Sequence, residues 1–256
     1  MKFQVDLNCD VGESFGAYKI GDDDALLPFV SSANIACGYH AGDHNIMNET
    51  VTLAVKKNVA IGAHPGFHDL QGFGRRIIDV QPNEVYNLML YQLGALSGFV
   101  SIQGERLQHV KPHGALYNLA ATNLRIAKAI AQSVYDFNRD LILVGLSRSV
   151  LIEEGRKIGL EVAEEVFADR TYQSDGTLTK RTNANALIHD VDEAVKQVIQ
   201  MVTTNTVTAV DGTVIPIQAD TICVHGDGKN AFSLLQTLKK NFLQHNIQIA
   251  PLGETR

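Results

Sequence analysis

The stretch "HVKPHGALYNLA", residues 109–120, sets an apolar β-type run against a lysine, a proline, a histidine and a glycine, and a helical pattern follows. Pro112 and Gly114 are ordinary chain punctuators, so one such stretch alone reads as a solvated turn. The same design recurs along the chain, and that recurrence decides the fold. "FQVDLNC" (3–9) leads to "DDALLPFV", and "SANIAC" (32–37) leads to "HNIMNETVTLAVKKN" (44–58). "VAIGAH" (59–64) leads through a Gly-rich stretch to a long helix opening near Pro82, where proline suits a first turn. "LILVGL" (141–146) precedes "SVLIEEGRKIG", "EVAEEVFAD" (161–169) precedes a polar loop and "DVDEAVKQVIQMV", and "TICVHGDG" (221–228) precedes "NAFSLLQTLKKNFLQHN". Apolar runs with little alternation fit parallel strands covered on both faces. The arms of "TVTAVDGTVIPI" (206–217) flank Asp211-Gly212, the signature of a tight hairpin. No linker or composition shift divides the chain, so residues 1–256 read as one α/β domain of about seven β-then-α units. Whether they close into a barrel or lie open, ligands belong at the carboxyl ends of the strands.

Composition narrows the function. A net charge of −6 and the absence of a long basic run argue against a nucleic-acid surface, and without Trp there is no stacking platform. The longest strongly apolar run, "LILVGL", is far shorter than the roughly 20 residues of a membrane span. Three widely spaced cysteines, Cys9, Cys37 and Cys223, without a CxxC pair, fit a reducing cytoplasm and core-filling thiols. No G-x-G-x-x-G follows the first strand and no Walker A loop occurs, which counts against a dinucleotide or P-loop site in this chain.

The strand ends carry the chemistry. The first offers Asp6, Asn8, Asp10 and Glu13; the second Cys37, His40, Asp43 and His44; the third His64, then His68, Asp69, Arg75 and Arg76. The fourth offers Lys111 and His113, the sixth Asp169 and Arg170, and the last His225 and Asp227. Any one of these alone reads as a turn residue or a cap, as Asp43 would be for the helix after it. His109 and His245 lie outside the pattern and take a structural reading. The opposite rim holds "KKN", "SIQGER" and "NRD", so the set predicts one polar rim. Asp and His together bind a divalent cation or do acid–base work, and Lys and Arg hold a carboxylate or stabilise an oxyanion. Without a G-x-S-x-G, attack by activated water on a polarised carbonyl fits best, and a lyase or isomerase would use similar spacing.

"DLNCDVGESFG", "SSANIACGYHAGD", "GAHPGFHDLQGFGRR", "VKPHGALYN", "FADRTY" with "GTLTKR" (176–181), and "ICVHGD" together resemble the LamB/YcsF family, nearly end to end and in order. The resemblance implies an irregular seven-stranded (β/α) barrel of the glycoside hydrolase/deacetylase type. It also implies ATP-dependent cleavage of 5-oxoproline (pyroglutamate) to L-glutamate, ADP and phosphate, acting with 5-oxoprolinase subunits B and C. Under it Asp10, His40, His64, Lys111 and His113 are the catalytic candidates. Asn8, Arg75, Arg76, Arg170, His225 and Asp227 are candidates for binding substrate or phosphate. Two alternatives stand beside this. One is a metal-dependent amide or sugar deacetylase with Asp10, His64 and His113 as ligands, "HAGDH" (40–44) competing as a ligand pair; the other is a non-catalytic subunit that presents the lactam.

Overall fold

The computed structural model describes residues 3–228 and 230–253. Strands β1 (Phe3–Val11), β2 (Ser32–Ala36), β3 (Ala60–His64), β4 (His109–Val110), β5 (Ile142–Leu146) and β6 (Val162–Phe167) pair in sequence order, all parallel. The hairpin of β7 (Thr206–Thr208) and β8 (Val214–Pro216) stands apart, as Asp211-Gly212 predicts. β9 (Thr221–Val224) then pairs with both β6 and β1 and closes a seven-stranded barrel. A last short strand, β10 (Ile247–Ile249), adds to the outer start of β1 and has no counterpart in the sequence reading.

The covering helices form where the pattern places them. Asp22 caps α1 (Asp23–Leu26) and Asp43 caps α2 (His44–Lys56), each carboxylate accepting backbone N–H groups that have no partner within the helix. Pro82 opens α3 (Pro82–Ile102) with a Gln81–Glu84 capping box. The helical stretch after "HVKPH" is two helices, α4 (Gly114–Thr122) and α5 (Leu124–Phe137), because the Asn123 side chain caps the second. α6 (Val150–Ile158), α7 (Val191–Thr204) and α8 (Ala231–Gln244) complete the ring. α3 is long and apolar enough, by length and composition, to cross a membrane, although no unbroken apolar run marks it in the sequence. Here Val85, Met89, Leu93, Leu96 and Val100 bury one of its faces in the core. Burying each large side chain contributes about 1.5–3 kcal/mol.

Side-chain alternation along β1 sends Leu7, Cys9 and Val11 outward under the helices, and Asp6, Asn8 and Asp10 into the barrel. The interior is therefore polar. At its lower end Asp6 accepts from the hydroxyls of Ser31, Ser32 and Thr221, and burial pushes its carboxyl up to about 6. Asp6 thus belongs to the opposite end from the rim where the sequence reading placed it. In the middle layer Asn34 donates to the Asn8 Oδ1 at 2.7 Å, and His109 Nε2 donates to the Asn34 Oδ1 at 2.8 Å. Gly62 makes room for that ring, since a Cβ there would lie 2.0 Å from the His109 Nε2. Burial, helped by the Lys111 charge, holds His109 down to about 3, so it is a neutral core histidine, as its place in the sequence suggests.

Candidate active site

The top layer of the barrel is built around Lys111. Its backbone N–H bonds to the Ala63 carbonyl beyond the end of β4, and its side chain turns inward, 2% exposed. The ammonium reaches Asp10 Oδ1 and Glu165 Oε1, each at 2.8 Å, and Cys223 Sγ at 3.1 Å. Three donors thus have three acceptors within the protein, so Lys111 has another role than holding a substrate carboxylate or oxyanion. Burial alone would depress the ammonium, but Asp10, Cys223 and Glu165 outweigh it and hold its pKa well above the ordinary lysine value. In return His64 and Lys111 overcome the burial of Asp10 and hold its carboxyl well below the usual range. The result is a fixed, ionised Asp10 whose Oδ2 lies 3.4 Å from His64 Nε2.

The histidines are oriented by the backbone. His64 Nδ1 lies 2.8 Å from the Lys111 carbonyl, and His113 Nε2 lies 2.8 Å from the Phe73 carbonyl. A carbonyl only accepts, so each of those nitrogens carries the proton. The remaining nitrogens, His64 Nε2 and His113 Nδ1, then present lone pairs to each other at 2.9 Å. His40 stacks on His113 with centroids 3.6 Å apart, its Nε2 lies 3.3 Å from Glu13 Oε1, and its Nδ1 has no partner among the described residues. Burial first, then neighbouring histidines, push His40 and His113 well below the ordinary imidazole value, and burial with Asp10 pushes the Glu13 carboxyl up. The Gly-rich loop after β3 is what lets this stack form. Gly74 has φ +62°, and a Cβ on it would meet His40 Cβ at 2.7 Å and His113 Cδ2 at 2.8 Å.

Two facing lone pairs repel unless a proton or a cation lies between them. Glu13, His40, His64 and His113 offer ligand atoms all within 4.8 Å of one another, and Asp10 Oδ2 adds an oxygen beside His64. Imidazole nitrogens whose other N–H is held by a backbone carbonyl, with carboxylates beside them, fit a divalent cation of the zinc type. The Asp10–His64–His113 set is compatible with that cation. The competing "HAGDH" pair is not, because His44 is exposed at the start of α2 and Asp43 is committed to its cap.

Around this centre the other candidates separate. Arg75 pairs with Asp227 at 2.6 Å and lies over the Phe73 ring, and His225 Nδ1 contacts Asp169 at 2.8 Å. These four stand on the rim. Asn8 does not: its amide spans Thr221, Glu165, Asn34 and Lys111 beneath the site, so no group is left for substrate. Arg170 is buried, with Nη2 on the Thr179 carbonyl at 2.6 Å and Nε on the Ala186 carbonyl at 3.3 Å; it fastens a loop. Arg76 turns outward onto Asp69 with its side chain 64% exposed. The Gly228 N–H closes a turn on the His225 carbonyl. Glu165 and the Phe73 carbonyl went unread in the sequence. Alternation along "VAEEVF" is the one signal that would have turned Glu165 inward, opposite Glu164, which faces Arg156.

Comparison with known proteins agrees with this architecture. The chain is 60% identical over 249 residues to the A subunit of 5-oxoprolinase from Oceanobacillus iheyensis, covering 97% of each. It is 53% identical over 254 residues to the A subunit of the Bacillus subtilis 5-oxoprolinase, covering 99% of each. The crystal structure of the lactam utilization protein from Thermus thermophilus superposes with a TM-score of 0.91 at 44% identity, over 96% of this chain and 99% of that one. Residues 5–256 match the LamB/YcsF family, and the barrel with its histidine-lined mouth belongs to a member of that family.

Proposed function

We propose that this chain is the A subunit of a 5-oxoprolinase, acting with subunits B and C to open the 5-oxoproline lactam at the expense of ATP. The observation that carries the reading is the buried, ionised Asp10 held by Lys111 and aimed at His64, within a chain whose relatives bear that name. A five-membered lactam is a poor electrophile. ATP phosphorylates its oxygen, water adds to the carbonyl carbon, and the C–N bond breaks as the ring nitrogen takes a proton. Hydrolysis of the resulting acyl phosphate yields glutamate and phosphate. His64, held beside the ionised Asp10, accepts the proton of the attacking water. His113 and His40 shape the wall next to it, and Arg75 presents a cation at the rim. If a divalent cation is bound, Asp10, His64 and His113 with Glu13 would hold it, and it would polarise the carbonyl as a Lewis acid. The sequence has no P-loop, so we assign nucleotide binding to the assembly rather than to a motif in this chain. The deacetylase reading shares the metal-ligand set but not the named relatives.

Omission and add-back tests this. The purified chain alone should give no appreciable glutamate from 5-oxoproline and ATP, and subunits B and C without it should also give none. All three together should produce glutamate with ATP consumed. Robust turnover by the single chain, or by B and C alone, contradicts the assignment.

A further inference from the structure

We infer that Arg75 and Asp227 form a latch across the barrel mouth, and that a carboxylate on the incoming lactam opens it by taking the place of Asp227 on Arg75. The identity of the ligand rests on the lactam reading above. Arg75 lies in the loop after β3, and Asp227 lies three residues beyond the end of β9. In the closed ring β3 and β9 are separated by β1 and β2 on one side and by β4, β5 and β6 on the other, as far apart as two of seven strands can be. An ion pair joining their loops, Arg75 Nη2 to Asp227 Oδ2 at 2.6 Å, therefore crosses the mouth.

Both ends of the pair are anchored on the layer of polar groups beneath it. Gly74, immediately before Arg75, packs directly on the His40–His113 stack, and its carbonyl accepts the Ala115 N–H at 2.9 Å. The Arg75 guanidinium carbon lies 4.7 Å from the centre of the Phe73 ring, and that ring packs edge-on against His40 and His113. On the far side Gly226, immediately before Asp227, runs across Asp10: a Cβ there would lie 2.4 Å from the Asp10 carbonyl oxygen. The Gly228 N–H on the His225 carbonyl holds the turn that presents Asp227. The pair is thus suspended over Asp10 and two of the histidines, on the path of a ligand that approaches His64 from solvent.

The pair is also one that a ligand can exchange. Lys111 is enclosed by Asp10, Glu165 and Cys223, Arg170 is buried on two backbone carbonyls, and Arg76 turns outward onto Asp69. Arg75 instead keeps 32% of its side chain exposed and Asp227 keeps 23%, and one N–H···O contact joins them among the described residues. A partly exposed pair of that kind contributes little net stability, because both charges give up water to form it. A free carboxylate lying in the guanidinium plane accepts two parallel N–H···O bonds, the geometry that arginine recognises best. An anionic lactam therefore compensates for the contact it breaks, whereas a neutral lactam breaks it and offers no replacement. The carboxylate and the carbonyl of 5-oxoproline diverge from opposite flanks of the ring nitrogen, so holding the first at the rim sends the second down toward Asp10 and His64.

Titration calorimetry of the three-component complex without ATP tests this. The ligands are 5-oxoproline and pyrrolidone, the same ring without the carboxylate, and the proteins are wild type, Arg75→Gln, Arg75→Lys and Asp227→Asn. The two ends of the latch should move 5-oxoproline in opposite directions. Arg75→Gln should weaken it about 10- to 100-fold, the loss of a charge-assisted contact. Asp227→Asn should tighten it about 2- to 5-fold, the release of a partly exposed competitor. Arg75→Lys, which keeps the charge and loses the fork, should recover part of the affinity. Pyrrolidone should bind Arg75→Gln and Asp227→Asn alike and at least as tightly as wild type, since each breaks the latch. A bridge that only braces the loops predicts instead that both substitutions weaken both ligands together. That result, or 5-oxoproline affinities unchanged from wild type, overturns the proposal. Glutamate formation with ATP judges the lactam reading separately. A complex that makes glutamate while the two variants shift 5-oxoproline the same way keeps that reading and loses the latch, whereas a wild-type complex that neither binds 5-oxoproline nor makes glutamate overturns both.

Discussion

Lys111→Met is expected to lower kcat/KM of the assembled enzyme by about 100-fold or more, the low end of what a positioned acid–base group contributes. The ammonium does not meet substrate, being enclosed by Asp10, Glu165 and Cys223. Its removal acts through Asp10, whose charge and orientation it fixes, so kcat should fall more than KM rises. The same change leaves two buried carboxylates without their cation, and breaking a buried pair costs about 3–5 kcal/mol. The double variant Lys111→Met/Glu165→Gln separates the two effects. Relieved of one uncompensated charge, it should regain part of the lost stability to urea and none of the activity. Lys57→Ala, which removes a surface pair with Asp24 at 3.1 Å, should leave both unchanged. Near-full activity of folded Lys111→Met would return "HVKPH" to the status of a simple turn.

Gly74→Ala is expected to have the second-largest effect. A Cβ at that position would press on His40 and His113 together, and the Gly74 carbonyl is already engaged by the Ala115 N–H at 2.9 Å, so the loop has little room to retreat. Displacing a reacting geometry by around 1 Å costs on the order of 100-fold in rate. The left-handed backbone adds about 1–2 kcal/mol of destabilisation for any residue with a Cβ. Gly104→Ala is the matching control, since it has φ +76° and nothing within 4 Å of the added methyl. It should carry the backbone cost without the loss of kcat/KM. Equal activities for the two variants would show that the histidine stack does not depend on the close approach at Gly74.

The sequence displayed the β-then-α order and one rim because both rest on local patterns, whereas the closed barrel was implied only by the family resemblance. A β-run followed by a helical face repeats along the chain, and Asp10, His40, His64, Lys111, His113, His225 and Asp227 each follow or end such a run. What lay hidden depends on contacts made only when the barrel closes. Lys111 looks like an exposed anion hook in "HVKPH", yet closure places Glu165 and Cys223 around it from strands more than 50 residues away. Asp6 and Asn8 stand two residues apart on the same face of β1 as Asp10, so sequence spacing could not say which layer each would occupy. The outward turn of Arg76 and the loop-fastening role of Arg170 likewise depend on Asp69 and on the carbonyls of Thr179 and Ala186. Glu165 was masked by its neighbour: two adjacent glutamates read as a solvated strand edge until the pleat sends one inward.

The claim at the centre of this account is that the lactam is opened at the mouth of this barrel, and locating the substrate tests it most directly. Crystals of the three-component complex soaked with 5-oxoproline in the absence of ATP should show the ring seated in this chain's mouth. Its carbonyl should point toward Asp10 and His64, and its carboxylate toward the Arg75 guanidinium at the rim. A 5-oxoproline ring bound wholly within one of the other two chains, with no ligand between His64, His113 and Arg75, would contradict it.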